Sequence, residues 1–197
     1  MLCTCAVANG LLKNIDNKDD LMRYLRYNIF ILTLLVALPV SAQETPGGLE
    51  EAYLGRYNYA ANRLVRLAEA LPADVYSWKP NEDGMTVEHV FMHIARYNYL
   101  YPEYNLGIAS PSDIDLDQLE SMTGKETVLK YLKPSLDYAR KVFVEMPEAD
   151  RQKIVELYGN DTQAWNVFFQ LQVHMAEHLG QLMAYSRMND IVPPWSR

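Results

Sequence analysis

The chain has 197 residues, a length that suits one domain, and carries 18 Lys+Arg against 25 Asp+Glu for a net charge of −7. That acidic balance disfavours nucleic acid and anionic membrane as partners, because both are polyanions.

Residues 1–42 read differently from the rest. Met22 to Ala42 runs MRYLRYNIFILTLLVALPVSA. Arg23 and Arg26 give a basic start, Ile29 to Leu38 is apolar except for Thr33, and Val40 and Ala42 are small residues where a signal peptidase reads, just before Gln43. The apolar run is shorter than the ~20 residues that span a bilayer. The segment reads as a cleavable export signal that starts at Met22 and ends after Ala42. The mature chain, 43–197, is then periplasmic or secreted; the competing reading is an internal helix over 22–42. No cysteine follows the apolar run, so neither a lipoprotein anchor nor any membrane partner is expected after signal removal. Cys3 and Cys5 leave with the leader, so the mature chain has no disulfide, thiolate ligand or cysteine nucleophile. Four of the 18 basic and three of the 25 acidic residues leave too, and net −8 remains.

Gln43 to Gly48 is a polar lead-in. Leu49, Tyr53, Tyr57, Ala60, Leu64, Leu67 and Leu71 then recur every three or four residues, the period of a one-sided helix over 49–71, with Pro72 just beyond. Ala73 to Met85 is a connection. Thr86 is an N-cap, with Glu88 in the first turn of a second helix over 87–106. Its stripe is Val87, Val90, Ile94, Tyr97 and Tyr101, flanked by Phe91 and Asn98. His93 lies at the stripe's edge and His89 further towards solvent. Gly107 to Met122 is acidic and reads as a solvated crossover. Its Asp113, Asp115 and Asp117 lack the turn glycine and closing glutamate of a calcium loop.

Thr123 and Glu126 match a capping box ahead of a third helix to Met146. Val128, Leu132, Leu136, Ala139, Val142 and Phe143 face inward, and Pro134 is expected to kink the helix or end its first part. Pro147 to Asn160 is a second connection, in which Ile154 to Tyr158 alternates weakly. Asp161 is taken as the N-cap of a fourth helix over 162–188, with Asn189 at its stop. Its stripe is Ala164, Val167, Leu171, Met175, Leu182 and Tyr185, flanked by Phe168 and Leu179. His178 falls inside that stripe, with His174 and Gln181 along one edge. IVPPWSR closes the chain as an extended tail. Four amphipathic helices predict an all-α four-helix bundle.

The four histidines form two i,i+4 pairs, His89/His93 and His174/His178. At that spacing Cβ atoms lie about 5–6 Å apart, so both imidazoles can reach one ion. A buried imidazole needs partners for its nitrogens, and His93 from the second helix could complete a set with His174 and His178. Three neutral nitrogens suit Zn²⁺, Ni²⁺ or Fe²⁺ and leave positions for water and substrate. The plainer alternative is a set of hydrogen-bonded core-edge histidines. HMAEH also matches the inverted zinc-protease string, but only 19 residues follow His178, none of them Glu or Cys, and Glu177 projects off the stripe.

Two stretches carry a resemblance: YSWKPNEDGMTVEHVFMHIAR, with Trp-x-Pro ahead of a helix ending in H-x-A, and HMAEHLGQLMAYSRMNDIVPP, with H-x-x-x-H-x-G-Q followed by R-M-N-x-I-V-P-P. The mature chain resembles the DinB/YfiT-like superfamily over essentially its whole length. The resemblance implies an up-down-down-up bundle and a three-histidine site for a divalent metal, zinc or nickel. By position the ligands are His93, His174 and His178, and His89 matches none. Gly180 is read as a close helix contact and Gln181 as lying behind the metal ligands. Asp190 stands where relatives often have glycine. The activities implied differ between members: some use small thiols and others are described as hydrolases. Low-molecular-weight thiols are chiefly cytosolic, so export argues against thiol transfer. The leading expectation is an exported metal-dependent enzyme, a hydrolase in which water on the metal attacks a small-molecule substrate, with Glu177 or a loop tyrosine assisting. The alternatives are a non-catalytic metal- or small-ligand-binding bundle, and a metal-free bundle forming a homodimer through a helix face.

Overall fold

The computed structural model describes Met22 and residues 48–196. The segment read as an export signal lies, apart from Met22, outside the described residues, as do its expected cleavage point and both cysteines. In chain order the elements are α1 (Leu49–Ala70), α2 (Val87–Leu106), α3 (Leu116–Leu119), α4 (Lys125–Glu145), α5 (Glu148–Arg151), β1 (Ile154–Leu157), β2 (Asn160–Gln163) and α6 (Trp165–Met188). The four long helices bury the stripes that their sequences mark. Tyr57, Leu64, Ile94, Phe91, Leu132, Phe143, Val167 and Phe168 are essentially inaccessible. Each large side chain so buried contributes about 1.5–3 kcal/mol. Leu49 is the exception on the first stripe: it opens α1 and is exposed.

Contacts between helices fix their directions. Glu88 at the start of α2 accepts from the Gly124 N–H just before α4 at 2.8 Å, and Asn98 bonds Ser135 in mid-helix, so α2 and α4 run parallel. The Lys125 ammonium at the start of α4 caps the Glu69 and Leu71 carbonyls at the end of α1, so these two are antiparallel. Tyr53 and Phe168, each in the first turns of its helix, pack edge to face, so α1 and α6 run together. The bundle is therefore up-down-down-up, with α1 and α2 each packed against both α4 and α6. Parallel α2 and α4 require a crossover as long as the bundle, which residues 107–124 supply.

Several local expectations are corrected. Thr123 is not a cap: Gly124 holds the N-cap position without a side-chain bond, and its φ of 91° suits glycine. Pro134 neither ends nor divides α4, because it sits on the exposed face and frees only the carbonyl of exposed Lys130. Asp161 lies in β2, and α6 begins three residues later than expected, at Trp165. The weak alternation over 154–158 becomes a real antiparallel hairpin, Ile154 opposite Gln163 through Leu157 opposite Asn160. The tail is not simply extended: Pro194–Ser196 makes a turn of 3-10 helix, and Trp195 stacks under the Arg63 guanidinium of α1. Asp190 has φ 59°, the left-handed turn that glycine adopts most readily after a helix. Thr86 caps α2 as read, accepting from the His89 N–H. Glu88 is more than a first-turn charge: it is buried, and its carboxylate ties α2 to α4.

Candidate metal centre

His93 stands in the second turn of α2, and His174 and His178 in the middle of α6, on faces brought together by the antiparallel contact of these helices. The three offer ligand atoms that all lie within 4.8 Å of one another. Ring centroids are 4.9 Å apart for His93–His174, 4.8 Å for His93–His178 and 4.5 Å for His174–His178. The sequence-derived triad is thus assembled, and His89 is outside it. The His89 side chain is 41% exposed, lies 4.0 Å from a Glu120 oxygen and stands edge-on to His93 at 6.5 Å.

Hydrogen bonds fix which nitrogens are free. The Glu120 Oε1 lies 2.7 Å from His93 Nδ1. A carboxylate only accepts, so Nδ1 carries the proton and Nε2 keeps its lone pair. His178 Nδ1 lies 2.8 Å from Gln181 Oε1, and the Gln181 amide is oriented by donating to the Tyr185 hydroxyl at 2.8 Å. His178 is therefore also left with a free Nε2. His174 Nε2 is buried and has no hydrogen-bond partner at all. An unpaired buried nitrogen costs ~1–3 kcal/mol unless something else binds it. A divalent cation fits this set: it needs lone pairs from neutral imidazoles, and partners behind the ligands hold two of the three rings in the required tautomer.

Electrostatics favour the same form. Burial pushes the His174 pKa down to about 3, helped by the neighbouring His178 and His93. Burial also lowers that of His93, against the opposing pull of Glu120. Both rings are neutral at pH 7, the state that binds metal. Tyrosines wall the site. Tyr97 packs 4.5 Å from His93 and 4.6 Å from His174, and Tyr101 stands edge-on to His174 at 6.1 Å. Clefts of ≈ 330 Å³ beside Met146 and Val155, and of ≈ 390 Å³ between α1 and α4, open elsewhere; no histidine lines either.

Two expectations change here. His174 rather than His178 is the more buried ligand, at 8% exposure, because α6 is rotated so that Leu171, His174 and Met175 share the inner face. Gly180 is not a close contact: it is exposed, and a Cβ there would meet nothing within 4 Å. Glu177 is likewise exposed. The residue that sequence reasoning missed is Glu120, placed in a solvated crossover. The signal was present. Asp115 caps α3 by accepting from Asp117 and Gln118 N–H groups, and Leu116 and Leu119 follow at helical spacing. Leu119 is fully buried, and Arg96 Nε donates to the Leu116 carbonyl at 2.9 Å. This anchoring delivers Glu120 to His93.

The DinB superfamily model matches residues 56–182, well over half of the chain and all three histidines. The chain belongs to the DinB superfamily. No curated protein matches it. Among solved structures, a DinB-like protein from Bacillus cereus superposes with a TM-score of 0.62 at 17% identity, covering 73% of this chain and 95% of that one. A DinB-like protein from Bacillus subtilis gives 0.55 at 20% identity, over 74% and 98%. A conserved protein from Enterococcus faecalis gives 0.59 at 12% identity, over 72% and 96%. At these identities the likeness is one of fold. The DinB assignment thus rests on the family match and the bundle, and the chemistry rests on the histidines themselves.

Proposed function

We propose that this DinB-superfamily chain is an exported enzyme that binds one divalent ion, zinc or nickel, through His93, His174 and His178 and hydrolyses a small molecule. The observation that carries the metal reading is the buried, unpartnered Nε2 of His174, facing two further imidazoles rather than any acceptor. A divalent ion held there supplies Lewis acidity and lowers the pKa of a water molecule. The chain's own groups do the rest. Glu120 holds the His93 proton on Nδ1, and Gln181, fixed by Tyr185, does the same for His178. Three protein ligands leave coordination open for a substrate. Tyr97, packed on two of the imidazoles, excludes water from one side. Glu177 is exposed and gets no role.

Export is supported by the basic, apolar and small-residue order over Met22 to Ala42, and it argues against a small-thiol co-substrate. The test is to purify the mature chain, 43–197, strip it with chelator, reload it with zinc or nickel, and screen ester, amide and lactone panels. Turnover present in the loaded protein, absent in the stripped one and absent in His174→Ala supports the hydrolase. Stoichiometric metal without turnover leaves a binding bundle instead.

A further inference from the structure

The two acceptors behind the metal ligands are held in different ways. Gln181 shares α6 with His178, and Tyr185, one turn on, accepts from its amide at 2.8 Å. Glu120 has no such neighbour on its own element. It follows α3, a single turn of helix, and a piece that short is not stable by itself. Its carboxylate is placed from α2 instead. Among the described residues, three side chains of α2 face it. His93 Nδ1 lies 2.7 Å from Oε1, Arg96 Nη1 lies 3.8 Å from the same oxygen, and His89 Nε2 lies 4.0 Å from Oε2.

Beside the His93 ligand, Arg96 is the one of these that is permanently charged. It is also less exposed than His89, at 23% against 41%. Its Nε donates to the Leu116 carbonyl at 2.9 Å, at the opposite end of the α3 turn from Glu120. Nε and Nη1 belong to one rigid planar fork, so a single group spans the start of α3 and the carboxylate that follows it. The guanidinium also lies 5.6 Å from the centre of the Tyr97 ring, which packs on His93 and His174. Arg96 is three residues after His93, so the two share a face of α2. An ion pair of this length and exposure stabilises a fold little. What it fixes is direction: the Glu120 oxygen that accepts from His93 is the one turned to Arg96.

We infer that Arg96 is a positioning residue for the metal centre, holding Glu120 against His93 Nδ1 and so keeping the His93 Nε2 free as a ligand, without itself touching the ion. This rests on the metal reading above.

The test reads metal-free and zinc-loaded protein, residues 43–197, separately. In the metal-free wild type, ¹⁵N–¹H spectra of the histidine rings, assigned against His93→Ala, should show His93 protonated at Nδ1. In Arg96→Met that tautomer should give way to a mixture with the Nε2-protonated form. Zinc affinity, by competition with a chromophoric chelator, should fall about three- to tenfold in Arg96→Met, less than the ~10–100-fold of losing the carboxylate itself. In a Glu120→Ala background the same substitution should cost less than about twofold, because the group it acts through is gone. A residue that only packs would weaken zinc equally in both backgrounds and leave the His93 tautomer unchanged, and either result overturns the inference. Arg96→Gln, which keeps a polar head at this partly exposed position, is read in the same way if Arg96→Met does not melt cooperatively. If neither variant folds, Arg96 is a structural residue and the inference is overturned. If wild type binds no zinc, the metal reading fails, and the ring spectra alone decide whether Arg96 positions His93.

Discussion

Arg151 and His174 are buried almost equally, at 4% and 8% exposure, yet their surroundings are opposite. Arg151 is wrapped in acceptors. Its NH1 lies 3.0 Å from both the Glu50 and Glu148 carboxylates, its NH2 donates to the Phe143 carbonyl, and its guanidinium rests over the Phe143 and Trp165 rings. Only its Nε lacks a partner. His174 faces two more imidazoles, has no acceptor or donor on Nε2, and is held neutral. The first arrangement completes itself and ties α5 to α1 and α4. The second gathers lone pairs, which a cation could complete. A missing partner alone does not distinguish His174, since Arg151 Nε, Ser110 Oγ and Gln172 Oε1 also lack one; the convergence of three imidazoles does.

The largest expected effect sets these two residues against each other. Arg151→Ala should cost about 3 kcal/mol, from lost hydrogen bonds and packing, and lower the melting midpoint by ~6–12 °C. His174→Leu in metal-free protein should change stability by less than ~1 kcal/mol or raise it, since it replaces an unpaired polar atom with an apolar group. Urea melts of the two variants decide this. A loss at His174 as large as that at Arg151 would make His174 a structural residue.

Next, Glu120→Gln should weaken zinc binding by about 10–100-fold, the usual effect of losing the carboxylate behind a histidine ligand. Competition with a chromophoric chelator measures it. The pH dependence of the metal-free protein gives a smaller effect. The unfolded His174 titrates near ~6.5 and the folded one at about 3. Between those values the unfolded chain binds a proton that the native one refuses. This contribution is fully present above ~6.5 and is lost as pH falls towards about 3. Urea midpoints should fall more steeply from pH 7 to 4 in wild type than in His174→Leu. Equal slopes would remove the argument for a buried neutral ring. Smallest of all, His89→Ala should leave zinc affinity within about twofold, because His89 lies outside the triad, 4.0 Å from a Glu120 oxygen and with its ring 6.5 Å from that of His93.

The bundle was legible because helical periodicity places it; periodicity left the histidines open between a metal set and core-edge hydrogen bonding, and the family resemblance singled out His93, His174 and His178. The stripes of α1, α2, α4 and α6 are long and regular, and i,i+4 spacing alone pairs His174 with His178. What escaped depends on contacts distant in sequence. Glu120 sits in an acidic run whose composition speaks for solvent, and only the burial of Leu119 against the bundle turns it towards His93. The start of α6 was misplaced because Asp161 is a good cap in isolation, but pairing with Glu156 in the hairpin claims it. A small error in helix phase likewise exchanged the burial of His174 and His178, since neighbouring turns of one face differ by only 40°. The turn between β1 and β2 at Tyr158, with φ 55°, has no sequence signature, because tyrosine there opposes the local preference.

The most direct test of the candidate metal centre is elemental analysis of residues 43–197, stripped and then dialysed against limiting zinc, for wild type and for His93→Ala, His174→Ala and His178→Ala. One zinc per wild-type chain, with near-zero content in each variant that still melts cooperatively, is the result expected. Full zinc retained in any of the three, or none in wild type, would contradict the assignment.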